Sequence, residues 1–279
     1  MQRATATGDA GMSSTDTSRY SVPGLERGLR ILTEFTRETP VLAAPELARR
    51  LDVPRTTVFR LLVTLESLGF VEKASNGREY QLGTAVLKLG FEYLASLALT
   101  ELGRPILEQL RDELNYSANL VIRDGREVVY VQKAAAGSIF TSSVHIGTRL
   151  PAHATVLGRV LLSHHGLHAL RALYPEEQLK PYGRHTPAST EALYQLLKAD
   201  KERGYVIADG FFESNISTIA APVFKQGGEV AAALGVTVPE AKIPESQRQT
   251  LIDKVVAAAA QLSECLDYRA PASTARHAG

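Results

Sequence analysis

The stretch LARRLDVPRTTVFRLLVTLESLGFVEKASNGREYQL, residues 47–82, contains the change of period that decides the fold. Val58, Leu61, Leu62, Leu65 and Leu68 recur at helical spacing, so the segment opening at Pro54 reads as an amphipathic helix that Gly69 stops. Before it, Leu47, Ala48 and Leu51 mark one face of a short helix with Pro45 in its first turn, and Asp52-Val53 breaks the two apart. After Gly69 the period drops to that of strands, with Asn76-Gly77 between them as residues that tolerate positive φ in a tight hairpin. Working outward, VPGLERGLRILTEF (22–35) repeats Leu25, Leu29, Leu32 and Phe35 at helical spacing, and Pro40 ends that segment. Helix, helix, turn, helix, hairpin over residues 22–83 is the order of a winged helix-turn-helix.

The remainder divides by pattern. Residues 84–99 read as a linker helix whose Val86, Leu87, Leu89, Leu94 and Leu97 are more apolar than a solvated helix needs, which calls for a partner. ELGRPILEQLRDEL follows as a second helix with Pro105 near its start. Residues 100–268 then mix strands and helices. NLVIRDGREVVYVQKA makes two strands around Asp124-Gly125, and RLPAHATVLGRVLLS runs from a strand into a helix beginning near Ala154. Ser189 or Thr190 caps a helix that ends before Gly204. IAAPVFKQGGEVAAALGVTV gives two long strands joined at Gln226-Gly227-Gly228, and PESQRQTLIDKVVAAAAQLSECL closes the domain as a helix. Runs of each type, without strict alternation, point to an α+β domain on an antiparallel sheet. The Ser-, Thr- and Ala-rich ends, 1–21 and 269–279, read as a disordered lead-in and tail.

Composition bounds the function. A chain of 279 residues that is 44% apolar suits two domains with ordinary cores. A net charge of +1 excludes a polybasic strategy but leaves room for a small DNA-reading module with a local cationic face. Residues 1–90 hold 12 Lys/Arg against 10 Asp/Glu, so one copy would neutralise few phosphates and bind weakly at physiological salt. Two or four copies on a paired site would solve this, hence the expectation of a homodimer or a tetramer built as a dimer of dimers. The lone Cys265 cannot form an internal disulfide, and the chain has neither a long apolar run nor a secretory leader pattern. A cytoplasmic location fits.

The chemistry-bearing residues fall into two groups. On the outer face of the 54–68 helix lie Thr56, Phe59, Arg60, Val63 and Ser67, with Arg55 on the flank; a solvated helix would put Glu and Lys there. Arg60 would bond a guanine edge bidentately and Thr56 or Phe59 meet a thymine methyl. Thr57 joins these at the helix N-terminus, which favours phosphate, while Arg27, Lys73 and the hairpin-tip Arg78 are placed for backbone and minor groove. The bland alternative is a three-helix interaction module with incidental arginines. In the second half, the helix start near Ala154 to Leu157, together with the small polar residues Ser214, Asn215, Ser217, Thr218 and Thr237, reads as a small-molecule pocket for a carboxylate. The alternative there is that those polar groups satisfy loop backbone and that Arg149 makes a structural ion pair. No G-x-S-x-G, P-loop or G-x-G-x-x-G occurs, and no cofactor is expected. His164 and His168, four apart on a possible helix with His165 beside them, lack an acidic or cysteine partner for a metal. Asp209 and Glu213, also four apart, would be the acid and base of a rival reading, a metabolite-processing enzyme with an appended helical module.

Five blocks in order carry a family resemblance: VPGLERGLRILTEF, LARRLDVPRTTVFRLLVTLESLGFVEK, YQLGTAVLKLG, RLPAHATVLGRVLLS, and RGYVIADG…STIAAPVF…VAAALGVTV. Over residues 22–268 the chain resembles the IclR-type bacterial transcriptional regulators. The resemblance implies a winged helix-turn-helix, a linker helix and a GAF-like effector domain, acting as an oligomeric repressor or activator tuned by a metabolite. It maps the effector pocket onto Ser142, Val156, Leu157, Asp209, Ile216, Thr218, Gly235 and Thr237. The segment ADGFFESNIST departs from the family pattern, with Phe211 and Phe212 and no arginine. TRLPAHATVLGRVLLS and RHTPAS are most similar to regulators of aromatic-acid catabolism, which implies a small or aromatic carboxylic acid as effector.

Overall fold

A computed structural model describes residues 20–137 and 144–269 and divides into two compact units, one up to Tyr93 and one from Leu94 onward. Ser142 and nearly all of both expected tails lie outside the described residues.

In the first unit, α1 (Pro23–Thr33), α2 (Ala44–Leu51) and α3 (Arg55–Ser67) pack around Ile31, Phe35, Leu47, Val58 and Leu62. Each such side chain taken fully from water contributes roughly 1.5–3 kcal/mol. Asp52 takes the left-handed conformation that ends α2, at φ 52°, and Pro54 opens α3 by accepting from the Thr57 and Val58 N–H groups. Gly69, at φ 75°, ends α3, and the Phe70 N–H reaches back to the Leu65 carbonyl. The strands β1 (Leu42–Ala43), β2 (Val71–Lys73) and β3 (Glu79–Leu82) form an antiparallel sheet in the order β1-β3-β2.

Two sequence expectations need correcting here. Leu25 and Leu29 are exposed, and α1 instead buries Gly28 and Ile31, one step round the helix. The hairpin is longer than an Asn-Gly pair, and only Gly77 has positive φ. Asn76 Oδ1 accepts from the Arg78 and Glu79 N–H groups, so the asparagine staples the loop with its side chain.

Helix α4 (Ala85–Ser96) follows, and Leu97, in extended conformation, separates it from α5 (Ala98–Leu114). The second helix therefore starts well before Pro105, which sits in its interior and leaves the Glu101 carbonyl without a helical N–H.

The second unit is built on a six-stranded sheet in the order β6-β5-β4-β9-β8-β7, every neighbouring pair antiparallel. Its strands are β4 (Ser117–Asp124), β5 (Glu127–Ala134), β6 (Arg149–Pro151), β7 (Val206–Asp209), β8 (Ser217–Phe224) and β9 (Val230–Val238). On one face lie α5 and α9 (Glu245–Cys265), sharing a core of Leu107, Leu120, Leu234, Val255 and Leu262. On the other lie α6 (Val156–Leu162), α7 (Leu167–Leu173) and α8 (Thr190–Arg203), over Val121, Tyr130, Leu162, Leu193 and Leu197. Ser189 caps α8 by accepting from the Ala192 N–H, and Gly204 ends it at φ 78°. Beneath the second core, Arg159 and Asp200 form a bidentate pair at 2.8 Å, both nearly sealed from solvent, and Arg203 adds a further contact to Asp200.

Candidate functional site

The first candidate surface is the outer face of α3. Burying Val58 and Leu62 turns Thr56, Phe59, Arg60 and Val63 outward, with Phe59 57% and Val63 46% exposed. Thr57 is partly buried. Arg27, Arg55, Lys73 and Arg78 are all exposed, and with Arg60 they enter no ion pair among the described residues. The other arginines of this unit's first two helices behave differently. Arg30 pairs with Glu26, Arg49 with Glu46, and Arg50 with both Glu46 and Glu34. That Glu46 carboxylate, hydrogen-bonded first by Arg49 and then by Arg50, is held down at about 2. Acidic partners thus neutralise Arg30, Arg49 and Arg50 on the flanking helices and leave Arg27, with the cations on α3 and the hairpin, unneutralised.

The second is a cleft between the sheet and the start of α6, with about 530 Å³ of atom-free space, its mouth included. Val156, Leu157, Ile216, Thr218 and Thr237 line it, all five named from the sequence. Thr218 and Thr237 face each other across β8 and β9 and make a polar floor. Sequence reasoning missed Tyr130, Thr155, Phe211, Phe212 and the mouth residue Glu213 as lining groups. Phe211 and Phe212 were visible as the departure from the family pattern. Tyr130 sits on a strand far away in sequence and gave no local signal. Burial, and then the Glu213 carboxylate, push the Tyr130 phenol well above its ordinary pKa, so it remains a protonated donor.

Other residues named from the sequence serve elsewhere. Asp209 is not among the lining groups: its carboxylate accepts from the Ile243 N–H and pairs with Arg248, both at 3.2 Å. Burial works to raise its pKa, but the Ile243, Arg248 and Ser217 hydrogen bonds outweigh that and leave it lowered. It ties β7 to α9. Gly235 is also absent from the lining; a Cβ there would stand 2.5 Å from the Ile219 carbonyl, so the glycine lets β8 and β9 close up. The start of α6 is partly satisfied from within, because Thr155 Oγ1 accepts from the Gly158 N–H at 3.2 Å. Arg149 bridges Glu127 and Asp124 at the sheet edge. His164 and His168 do not share a helix: α6 ends at Leu162 and α7 begins at Leu167. Among the described residues no group of His, Cys, Asp and Glu could hold a metal ion, and no helix is long and apolar enough to cross a membrane.

Comparison with known proteins joins the two surfaces. Residues 24–75 match the IclR helix-turn-helix domain, and residues 91–264 match the C-terminal domain of bacterial transcriptional regulators of the IclR type. The chain is 30% identical to the HTH-type transcriptional regulator KipR of Bacillus subtilis, over 87% of this chain and 96% of that one. It is 29% identical to the Pca regulon regulatory protein of Pseudomonas putida, over 85% and 81%. Among solved structures, a transcriptional regulator from Rhodococcus sp. RHA1 superposes with a TM-score of 0.78 at 31% identity, covering 88% of this chain and 99% of that one. With both domain types matched in order, and with regulators as its relatives, the chain belongs to the IclR family of bacterial transcriptional regulators.

Proposed function

We propose that the N-terminal unit reads a specific operator through the outer face of α3, and that a small carboxylic acid in the C-terminal cleft sets how tightly it does so. The observation that carries the DNA half is the row of unpaired cations, Arg55 and Arg60 on α3 with Arg27, Lys73 and Arg78 around it, beside exposed Phe59 and Val63. Arg60 and Phe59, with Thr56, address base edges; Arg27, Arg55, Thr57, Lys73 and Arg78 address the backbone. For the effector, apolar walls of Val156, Leu157 and Phe211 suit a ring or a short chain, and the hydroxyls of Tyr130, Thr218 and Thr237 suit an anionic head. Glu213 at the mouth would accept from a ring hydroxyl. The name of the Pseudomonas putida relative, a regulator of the Pca regulon, accords with an aromatic acid.

The working form is a homo-oligomer. Leu87, Leu89, Phe91 and Tyr93 on α4 are all more than half exposed, and so are Leu25 and Leu29 on α1. Apolar side chains clustered on two helices mark a surface that another copy covers. The test is fluorescence anisotropy of the full chain on DNA from beside its own gene, across a salt titration, with and without 4-hydroxybenzoate, protocatechuate, benzoate and short aliphatic acids. Nanomolar-range, sequence-selective binding that shifts with one of these acids is the expected result. Weak binding indifferent to sequence sinks the operator reading, and unchanged affinity or complex geometry with every acid sinks the carboxylate reading.

A further inference from the structure

A diagonal of polar residues crosses the α6-facing side of the sheet, where Val121, Tyr130, Ala220 and Ala233 are otherwise apolar or aromatic. Thr218 and Thr237 are direct cross-strand partners. Asn119 is one pair further along, between Gly235 on β9 and Lys133 on β5. It is fully buried, and its Nδ2 donates to Thr237 Oγ1 at 3.1 Å, while its Oδ1 has no hydrogen-bond partner among the described residues. The Lys133 ammonium donates to the carbonyl of Val144, another cleft residue, at 2.7 Å.

Folding alone gives no reason for asparagine here. Leucine would fill similar space and leave no buried acceptor unpaired, a state that native proteins keep rare. What the asparagine does is fix a proton. A threonine hydroxyl has one proton and two lone pairs. With the Asn119 N–H on one lone pair, the Thr237 proton must point elsewhere, and that hydroxyl makes no other hydrogen bond among the described residues. Thr237 lines the cleft, so the direction left to its proton is toward a ligand.

From the juxtaposition of the buried Asn119 amide and the cleft-lining Thr237 hydroxyl, we infer that Asn119 is a positioning residue that makes Thr237 a donor to the carboxylate of the effector and so sets the preference for acids. This rests on the carboxylate reading of the cleft. A neutral amide, which brings no charge to that donor, gains less from it.

Calorimetry on the full chain with 4-hydroxybenzoate and 4-hydroxybenzamide tests this; benzoate, protocatechuate, pyruvate and their amides serve as further pairs. Asn119→Leu should weaken the acid by about tenfold or more and the amide by no more than about twofold, as for a lost hydrogen bond to a charged group. Thr237→Val should reproduce that loss, and the double variant should add nothing further, as for two groups acting as one. Asn119→Asp can only accept; it takes the Thr237 proton, leaves a lone pair to the ligand, and should turn the preference toward the amide. A merely structural asparagine would weaken acid and amide alike. That outcome, or an unchanged acid-to-amide ratio, overturns the inference while the carboxylate reading stands. If the unaltered protein binds none of the acids, the carboxylate reading falls and takes the inference with it. Should Asn119→Leu fail to fold, the ratio in Asn119→Asp decides.

Discussion

Arg60 and Arg159 show how little residue type says about role. Both are arginines on helices of a nearly neutral chain, yet Arg60 is exposed and makes no ion pair among the described residues, while Arg159 is sealed against Asp200. Replacing Arg60 by Ala should cost roughly 1–3 kcal/mol on the operator and much less on random DNA, read by competition anisotropy. An equal loss on both would reassign it to phosphate. Arg159→Ala leaves Asp200 buried with only the half-exposed Arg203 for company. That change should destabilise by about 3–5 kcal/mol and lower the melting temperature by on the order of 10 °C, with calorimetry as the check. The helical period placed Arg60 on the outer face, but the burial of Arg159 was not written in the local sequence, because it depends on which strands and helices pack above the side chain.

At the level of elements, most boundaries were legible where a chemical punctuation mark coincided with a change of period. Asp52, Gly69, Ser189 and Gly204 each end or cap a helix as their chemistry requires. Legibility failed where several faces satisfied the same spacing. In α1 the leucines repeat as regularly as the buried residues, and only the fold shows that Ile31 faces the core while Leu25 and Leu29 do not. Part of the cleft was legible because the α6 start and the β8–β9 pair are contiguous motifs, whereas Tyr130 joins it from β5, and Asn119 reaches Thr237 from β4, through sheet pairing. A lone Asn within an otherwise apolar strand was the one available hint. The exposed side of α4 supports a prediction of its own. Leu89→Glu with Phe91→Glu should shift the proteins to a smaller species in light scattering and steepen the loss of DNA affinity on dilution, since apolar contact area is what such a pairing would bury. An unchanged mass would move the interface elsewhere.

For the whole molecule, charge and protonation set the working range. His153, His164 and His165 all lie in the effector unit, and burial foremost lowers each of their pKa values. A depressed histidine is neutral in the folded chain while the unfolded chain still takes up protons. Stability is therefore whole above the ordinary value of about 6.5 and is lost as pH falls through the folded value. The effector unit should melt at a lower temperature at about pH 5.5 than at about pH 7.5. His153→Gln should reduce that difference; a flat profile in the unaltered protein would contradict the assignment. The near-zero net charge has a related effect at neutral pH: without bulk attraction to phosphate, few copies would be wasted on random DNA, and in the proposed reading selectivity would fall to the α3 face.

The junction of Gly69 and Gly83 bears on how a regulator of this kind transmits a signal. A Cβ on Gly83 would stand 2.2 Å from the Gly69 carbonyl oxygen, and the Gly83 and Ala85 N–H groups bond to the Phe70 and Gly69 carbonyls. Backbone is thus locked to backbone where α3 ends and α4 begins. A turn of α4 would pass through this backbone contact to α3, the helix proposed to read the operator. Gly83→Ala would open that lock, and operator binding would then lose its response to the effector before it lost its affinity.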